Sequence, residues 1–336
     1  MPTLEDVAKK AGVSTATVSK VLSNTPYFTE STRLKVMRVV EEIGYVPHLA
    51  GRALSTGKTG IIAVVFPYVY DSLFTDPFVV YMLQGVEAES YAHGYNLLLS
   101  TPRLTSEGPD QQFMQLIHSG YLDGIIALDN VPLASVLEPV HKRDIPCVAI
   151  GYHPTQYFVR SDDFSGGFQI MEHVLSLGHR QIGIITVPDD TNFSMDHRLT
   201  GLQAATEAVG LDFASIPQKS GNYSIEGGMN AARVLLTEHP ELTALVCLND
   251  RMAIGAVQQA RAMNRQVPDD LSIVGYDDIP TAASLVPSLT TIDQHAPELG
   301  RAAVRMLLQM LDKRAVEPLT LPVHLVVRQS TSVPKN

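Results

Sequence analysis

The chain is poor in the features that mark exported, disulfide-bonded and membrane proteins. It has 336 residues but only 2 cysteines and no tryptophan. Cys147 and Cys247 lie in the apolar runs IPCVAI and ALVCLN, where cysteine usually behaves as a small buried hydrophobe, so we expect neither a disulfide nor a redox role. The N-terminus MPTLEDVAKK lacks the apolar core of a secretion signal, and the longest apolar run, Ile61 to Phe66, falls far short of the ~18 residues that span a membrane. We therefore expect a cytoplasmic protein without membrane contacts.

Motifs of common enzyme classes are also missing. The sequence has no G-x-S-x-G elbow, no H-E-x-x-H zinc motif and no cysteine pair at metal-ligand spacing. The segment from Gly51 to Thr59 looks like a phosphate-binding P-loop, but it has five residues between its glycines instead of four, and no strand precedes it. These absences predict a protein that is not an enzyme and that uses no cofactor or metal ion.

Size and charge divide the chain unevenly. At roughly 100–200 residues per domain, this length predicts two or three domains. Residues 1–60 hold 8 Lys or Arg against 5 Asp or Glu, a formal charge of +3, whereas the whole chain carries −10. A basic N-terminal head therefore precedes an acidic body. An excess of +3 is often only a solvated surface, so charge alone does not indicate a nucleic-acid partner.

The first part of the head predicts two short helices joined by a tight turn. Thr3 followed by Asp6 gives a start similar to a capping box, and Gly12 permits the left-handed turn that ends the helix. Ser14 is a suitable N-cap for a second helix, Thr15 to Leu22, whose outward residues are small, polar or basic. Two helices in this arrangement form a helix-turn-helix, in which the second helix lies in the major groove of DNA.

A third helix follows in the head. It starts at the cap residue Thr29 and ends near Gly44. Periodicity alone leaves open a three-helix domain with no DNA role. We predict outward basic residues Arg33, Lys35 and Arg38, and an inward apolar face of Leu34, Val36, Met37, Val40 and Ile43.

The stretches TLEDVAKKAGVSTATVSKVLSN and TRLKVMRVVEEIGYVPHLAGRALSTGKTG resemble the head of the LacI/GalR family over some 57 consecutive residues. The resemblance implies a ligand-controlled transcription regulator, commonly a repressor, that binds a palindromic operator as a homodimer. By position it implies base contacts from Thr15, Ala16, Thr17 and Lys20, and phosphate contacts from Thr3, Ser14, Ser19, Asn24, Thr32 and Tyr45.

The resemblance extends into a linker that begins at Tyr45-Val46-Pro47. His48 to Thr56 matches the family's hinge helix, which implies DNA contacts from Arg52 and Leu54, with Leu54 wedged into the minor groove. Gly51 stands where the family usually has alanine, and glycine inside a helix costs ~1 kcal/mol. We therefore expect the hinge to fold only when two copies meet in the groove.

The body alternates apolar strands with amphipathic helices, twice over. This pattern predicts an α/β fold with two lobes of doubly wound parallel sheets, similar to periplasmic binding proteins. The first set has strands 61–66, 95–100, 123–128 and 145–150 with helices near 77–92, 109–119 and 132–142; the second has strands 181–186, near 214–218, 244–249 and 271–276 with helices near 164–177, 196–209, 224–238 and 250–263.

These patterns divide the chain into three parts. We expect residues 1–47 to form the helix-turn-helix domain, 48–60 the hinge and 61–336 the core. The resemblance implies that this core binds effector and dimerises through residues near 70–120. After the final strand, about Val323 to Arg328, no leucine heptads follow, so no coiled-coil tetramer is expected. Within the core, lobe 1 comprises about 61–161 plus 292–320, and lobe 2 about 162–291 plus 321–332.

Ligands of such sheets bind at the carboxyl ends of the strands, which directs attention to the loops that follow them. In the first lobe that loop, Pro67 to Phe78, is rich in aromatic residues. In the second lobe the loops carry carboxylates, amides and an arginine. Rings that stack on C–H faces and planar groups that pair with hydroxyls favour a carbohydrate over a purine. The loop residues are Tyr68, Tyr70, Phe74 and Phe78 in lobe 1, and Asn192 to Arg198, Asn222-Tyr223, Asn249-Asp250 and Asp277-Asp278 in lobe 2.

The core segments GHRQIGII, CLNDRMAIGA, VPDDLSIVGYDD and LTTIDQ also resemble the LacI/GalR family. Gly151 departs from the aspartate of many members, which removes one expected ligand contact. Asp250 is interpreted as a helix N-cap, and Asp278, Tyr70 and Phe74 as either packing or ligand residues. By position, the effector contacts implied are Phe78, Arg198, Tyr223, Asn249, Asp277 and Gln294.

A second interpretation is a solute-binding module or enzyme of the same two-lobed fold whose head binds a protein partner. Operator binding that is absent or independent of salt would favour it, because phosphate contacts make DNA binding steeply salt-dependent. The sequence does not distinguish an inducer from a corepressor, since both would use the same cleft.

Overall fold

The computed structural model of the chain describes residues 2–22, 28–46, 58–66, 73–105, 108–128, 137, 139–151, 157–187 and 193–335. The predictions that fall outside these residues concern Asn24, the hinge helix His48 to Thr56 with Gly51, Arg52 and Leu54, the loop residues Tyr68 and Tyr70, Asn192, and much of the helix near 132–142.

The head contains three helices, α1 (Leu4–Ala11), α2 (Thr15–Leu22) and α3 (Glu30–Ile43). The capping box predicted at the start of α1 is present. The backbone amide of Thr3 donates to the carboxylate of Asp6, and the backbone amide of Asp6 donates to the hydroxyl of Thr3. Gly12 and Gly44 close α1 and α3 in the left-handed conformation, with φ of 60° and 61°. Local sequence therefore defines these helix ends.

The apolar face of α3 differs from the prediction. Val36 and Val39 are its buried residues, whereas Leu34 is 58% and Met37 39% exposed. At 100° per residue, Val36, Val39 and the partly buried Ile43 share one side of the helix, and Leu34 and Met37 lie on another. The core of the head is therefore built on valines, and the prediction for Leu34 and Met37 was wrong.

The first lobe is built on a six-stranded parallel sheet with helices on both faces. Alternate residues of each strand face opposite layers, so Ile62 and Val64 pack with the helices Pro77–Ala92 and Ala296–Leu311, while Ala63 and Val65 pack with the helix Gln111–His118. In spatial order the strands are β13 (Leu319–Leu321), β7 (Tyr157–Ser161), β6 (Cys147–Ile150), β5 (Gly124–Leu128), β1 (Ile61–Val65) and β2 (Asn96–Ser100), and the helices are α4 (Pro77–Ala92), α5 (Gln111–His118) and α11 (Ala296–Leu311). A short pair, β3 (Leu104–Thr105) and β4 (Gly108–Pro109), precedes α5.

The second lobe is built on a four-stranded parallel sheet with its own apolar core. In spatial order its strands are β11 (Ser272–Val274), β10 (Ala244–Cys247), β8 (Ile182–Thr186) and β9 (Gln218–Ser220), and its helices are α6 (Asp163–Ser176), α7 (Phe193–Ala208), α8 (Ile225–Glu238), α9 (Asp250–Ala262) and the short α10 (Pro280–Ser284). The short strand expected near 214–218 lies later, at Gln218–Ser220, because Phe213–Ser215 form a 3₁₀ turn capped by Asp212.

The chain passes between the sheets after β7, before α11 and after β13. At these crossings β12 (Thr291–Asp293) pairs antiparallel with β14 (His324–Val326), and the amide of Asp162 donates to the carbonyl of Leu321 at 2.9 Å. The first sheet was expected to end at β6, and the structure adds β7 and β13 to it. The three segments that connect the lobes therefore run close to the cleft, and Ser161 of β7 and Gln294 after β12 lie at its wall.

Candidate functional site

The helix-turn-helix presents the predicted base-reading residues on one surface. Thr15, Ala16 and Lys20 of α2 are exposed, and Thr17 is half-buried with its hydroxyl 2.9 Å from that of Ser14. The backbone amide of Thr17 also donates to the Ser14 hydroxyl at 3.1 Å, so this pair fixes the first turn of α2. Small side chains at an exposed helix start allow a close approach to base edges.

The predicted phosphate contacts are distributed around this surface. Thr3 is exposed, and Ser19 and Thr32 are half-buried. Tyr45 differs, because it is only 7% exposed and packs into the core of the head. The ring of Tyr45 is therefore part of the apolar core of the head. The role of these residues in DNA binding stays a prediction.

A cavity of about 140 Å³ lies between the two lobes of the core, at the carboxyl ends of the strands. The structure brings all six predicted effector contacts to its wall: Phe78, Arg198, Tyr223, Asn249, Asp277 and Gln294. Gly151, whose φ is 111°, also lines it, and an L-residue there would adopt a strained backbone. Binding by these residues is a prediction that the geometry makes testable.

Arg198 is the centre of a buried polar network. Its Nε donates to Asp163 at 2.8 Å, its Nη1 donates to the carbonyl of Leu248 at 2.8 Å, and the guanidinium lies 3.7 Å from the ring centroid of Tyr276. Burial pulls the pKa of Arg198 down, but Asp163, Tyr276 and Asp277 more than offset this and raise it. The guanidinium is therefore a fixed positive charge at the cleft wall.

Glycines on α6 allow this network to form. A Cβ on Gly166 would lie 2.1 Å from the hydroxyl of Tyr276, and one on Gly167 would lie 2.1 Å from the carbonyl oxygen of Arg198. Both distances are below any van der Waals contact, so no other residue fits without displacing α7 or the tyrosine. Tyr276 in turn donates its hydroxyl to Asp163 at 3.3 Å.

Asp277 and Gln294 form a second polar pair beside Arg198. Gln294 donates its Nε2 to Oδ1 of Asp277 at 2.7 Å, and the same oxygen lies 3.8 Å from Nη1 of Arg198. Burial raises the pKa of Asp277 well above its usual value, and Arg198 pulls it back. A ligand hydroxyl that donates to this carboxylate would stabilise its charged form.

Asn249, not Asp250, is the N-cap of α9. Oδ1 of Asn249 accepts the amide of Met252 at 2.8 Å, and its Nδ2 donates to the carbonyl of Tyr223 at 3.5 Å. The second N–H of Nδ2 is then the group available to a ligand. Asp250 was expected to be the cap, but it is buried and accepts from the Thr291 hydroxyl and the Ile279 amide. Because both carboxylate oxygens of Asp250 accept from these distant partners, Asn249 is the cap instead, one residue earlier than expected. Asp250 therefore ties α9 to the crossing at β12.

Several polar cavity residues were not among the effector contacts predicted from the sequence. Asp76 caps α4, Asp163 holds Arg198, and Arg160 and Ser161 end β7. The alternation in the segment Tyr157 to Ser161 was the available signal for β7, and thus for the residues that follow it. Asp278, left open above, pairs with Arg328 at 2.7 Å, and Phe74 is 63% exposed; neither lines this cavity.

Within the described ranges, no helix is long and apolar enough to cross a membrane.

Known proteins resemble both parts of the chain. A family model for bacterial regulatory proteins of the lacI family matches residues 3–48, and one for a periplasmic binding protein-like domain matches residues 171–331. The HTH-type transcriptional regulator CelR of Thermobifida fusca is 32% identical over 339 residues, which cover 98% of each chain. Among solved structures, a CelR–cellobiose complex has a TM-score of 0.72 at 29% identity and covers 98% of this chain and 100% of its own. A lac repressor dimer bound to operator and the anti-inducer ONPF has a TM-score of 0.83 at 26% identity and covers 98% of this chain and 99% of its own.

Proposed function

Because the chain belongs to the lacI family of bacterial regulatory proteins, we propose that it binds a palindromic operator as a homodimer and that an uncharged sugar held between its lobes controls this binding. The family makes the chain a ligand-responsive transcriptional regulator. The operator, the dimer, the sugar and the absence of enzymatic activity are the parts that we propose. The head, residues 1–47, would read DNA, and the core, residues 61–336, would bind effector and dimerise.

One observation carries the choice of an uncharged ligand: Asp76, Asp163, Arg198 and Asp277 at the cavity all have oppositely charged partners within the protein. Arg198 lies between Asp163 and Asp277, and Asp76 pairs with Arg251 at 3.1 Å. A ligand carboxylate or phosphate would lie beside Asp76, Asp163 and Asp277. The arginines that pair with these carboxylates would have to be shared with the ligand's own negative charge. Hydroxyl groups, in contrast, can both donate to Asp277 and accept from Asn249 without bringing a charge into the cleft.

The shape of the site adds to this argument. Tyr223 provides an aromatic ring in the second lobe on which a ligand could stack. Phe78 lies on the opposite wall, partly buried, and packs against the apolar cores of both lobes. Flat rings and paired polar groups bind the C–H faces and hydroxyls of a sugar. The cellobiose seen in the related CelR structure has this chemistry. It is the first compound that we would test.

A thermal-shift screen of matched compounds tests the effector. Cellobiose, glucose and ribose would be compared with glucose 6-phosphate, gluconate and the purine hypoxanthine. A ligand at 100 times its dissociation constant adds ~2.7 kcal/mol, so a binding sugar should raise the melting temperature by several degrees. Stabilisation only by the phosphate, the acid or the purine would contradict an uncharged sugar.

Operator binding is tested by selection from random duplexes. The two-fold dimer should enrich two half-sites in inverted orientation, and affinity should fall steeply with salt, by a slope of about −0.9 per neutralised phosphate. Thr17→Ala with Lys20→Ala should abolish the enriched motif, while Lys142→Ala, an exposed position far along the chain, should leave it intact. Salt-independent or absent binding would instead favour a protein partner for the head.

Coupling between the two sites requires a third measurement. Effector affinity would be determined with and without the selected operator, because linkage demands that each ligand change the affinity of the other by the same factor. Equal affinities in both conditions would refute control by the cleft. The direction of the change would show whether the sugar is an inducer or a corepressor.

A further inference from the structure

Asp76 makes two contacts with different consequences. Its Oδ1 accepts the backbone amide of Phe78 at 3.0 Å, which makes it the N-cap of α4. Its Oδ2 accepts from Nη1 of Arg251 at 3.1 Å. The cap stabilises the first lobe alone, whereas the ion pair joins two distant parts of the chain.

The ion pair crosses the cleft. Asp76 begins a helix that covers the first sheet, and Arg251 lies in the first turn of α9, which covers the second. The side chains are 22% and 15% exposed, so the pair is largely shielded from water. Its attraction is therefore screened less than that of a surface ion pair. Separation of the lobes would break this contact.

Each end of the pair adjoins a proposed ligand contact. Phe78 follows Asp76 by two residues and packs against the cores of both lobes. Asn249 precedes Arg251 by two residues and caps the same helix. Asp76, Phe78 and Asn249 all line the cavity. A fixed distance between Asp76 and Arg251 thus sets the distance between the two walls that would hold a ligand.

We propose that Asp76 and Arg251 are positioning residues whose ion pair holds the lobes closed over the cavity and thereby raises effector affinity. The closed cleft is then partly formed before the ligand arrives, so less of the binding free energy is spent on ordering the lobes. The effect on affinity rests on the proposed effector role of the cleft. The effect on lobe closure does not, and it can be measured without ligand.

Two variants remove the ion pair and keep the local structure. Asp76→Asn retains an N-cap, since asparagine caps helices as well as aspartate does. Arg251→Gln retains side-chain length and helix propensity. Arg314→Gln is the matched control, because it removes an exposed ion pair with Asp312 that does not span the cleft.

Hydrogen exchange of the full chain without ligand tests closure. Each single variant should raise exchange two- to tenfold both at the start of α4, residues 77–83, and at the start of α9, residues 249–254. The double variant should exceed neither single variant, because the same contact is lost once. Arg251→Lys should restore protection in part, and Arg314→Gln should leave both segments unchanged.

The outcomes are distinguishable. If Asp76→Asn affects only residues 77–83 and Arg251→Gln only residues 249–254, the pair does not link the lobes and the proposal is overturned. Additive effects in the double variant would overturn it as well. With a sugar that passes the thermal-shift screen, both single variants should bind three- to tenfold more weakly; unchanged affinity would refute the positioning role. If no sugar binds, the proposed function fails, and hydrogen exchange still decides whether the pair closes the lobes.

Discussion

The two walls of the cleft are built from different chemistry. The second lobe contributes Arg198, Asn249 and Asp277, which are buried and hydrogen-bonded within the protein. The first lobe contributes mainly apolar side chains, among them Phe78 and Met82. Fixed polar groups determine which ligand fits, because their orientation costs nothing further on binding. We therefore expect the second lobe to determine which ligand binds and the first lobe to close over the bound ligand.

Among the replacements in the cleft, that of Arg198 should cause the largest loss of effector affinity and of stability. Arg198→Ala leaves Asp163 and Asp277 buried without their cation, which costs about 3–5 kcal/mol of stability. We expect effector affinity to fall more than 100-fold, by calorimetry, and the core to melt at a lower temperature. Operator binding at 20 °C should persist, by gel shift, because the head has its own core. Thr200→Ala, on the exposed side of α7, is the control and should bind effector normally.

Asp277→Asn should weaken binding without weakening the fold. Burial raises the pKa of Asp277, so a neutral side chain is well tolerated there and the melting temperature should change little at pH 7. Because the pKa of Asp277 is higher in the folded than in the unfolded chain, its protonation at lower pH stabilises the folded state. A ligand hydroxyl would lose its charged acceptor, and we expect affinity to fall about tenfold. A large loss of stability with unchanged affinity would assign Asp277 to structure alone.

The apolar wall should respond more weakly. Phe78→Ala removes a ring that packs against both lobes, and we expect about a fivefold loss of affinity together with a small loss of stability. Phe78→Leu keeps most of the buried apolar area but not the flat face, so it separates stacking from burial. If alanine at this position costs more affinity than alanine at Arg198, the division between the walls is wrong.

Replacement of Ser161, at the end of β7, should have the smallest effect. Its hydroxyl is buried at the cavity, and the described residues provide no hydrogen-bond partner for it. An unsatisfied buried hydroxyl is unfavourable, so Ser161→Ala should leave the melting temperature equal or higher. If a ligand supplies the missing partner, affinity should fall about threefold in titrations. A lower melting temperature would show that the hydroxyl has a structural partner after all.

Local features of the sequence predicted much of the fold. Helix α4 was expected at 77–92 and is observed at Pro77–Ala92, and the caps at Thr3 and Thr29 are present. The clustering of loop residues was also predictable, because parallel strands bring their carboxyl ends to one edge. The regularity of the strand–helix alternation left few alternatives for the two sheets.

Features that depend on distant contacts were not predictable in the same way. Strand β13 has only three residues and strand β7 is partly polar, and the two strands pair where the chain crosses between the lobes. Asn249 and Asp250 are both good capping residues, and only the contact of Asp250 with Thr291 and Ile279 decides between them. Asp163 meets Tyr276 across 113 positions of sequence. Pattern alone carries no information on such partners.

The close approach of Gly167 to the backbone of Arg198 limits how this regulator can diversify. A single added methyl group would push α7 away and carry the guanidinium out of place. Relatives that keep this helix contact are therefore expected to inherit the arginine in the same position. We expect new ligand preferences to arise at other residues of the cleft, which do not take part in this contact between helices.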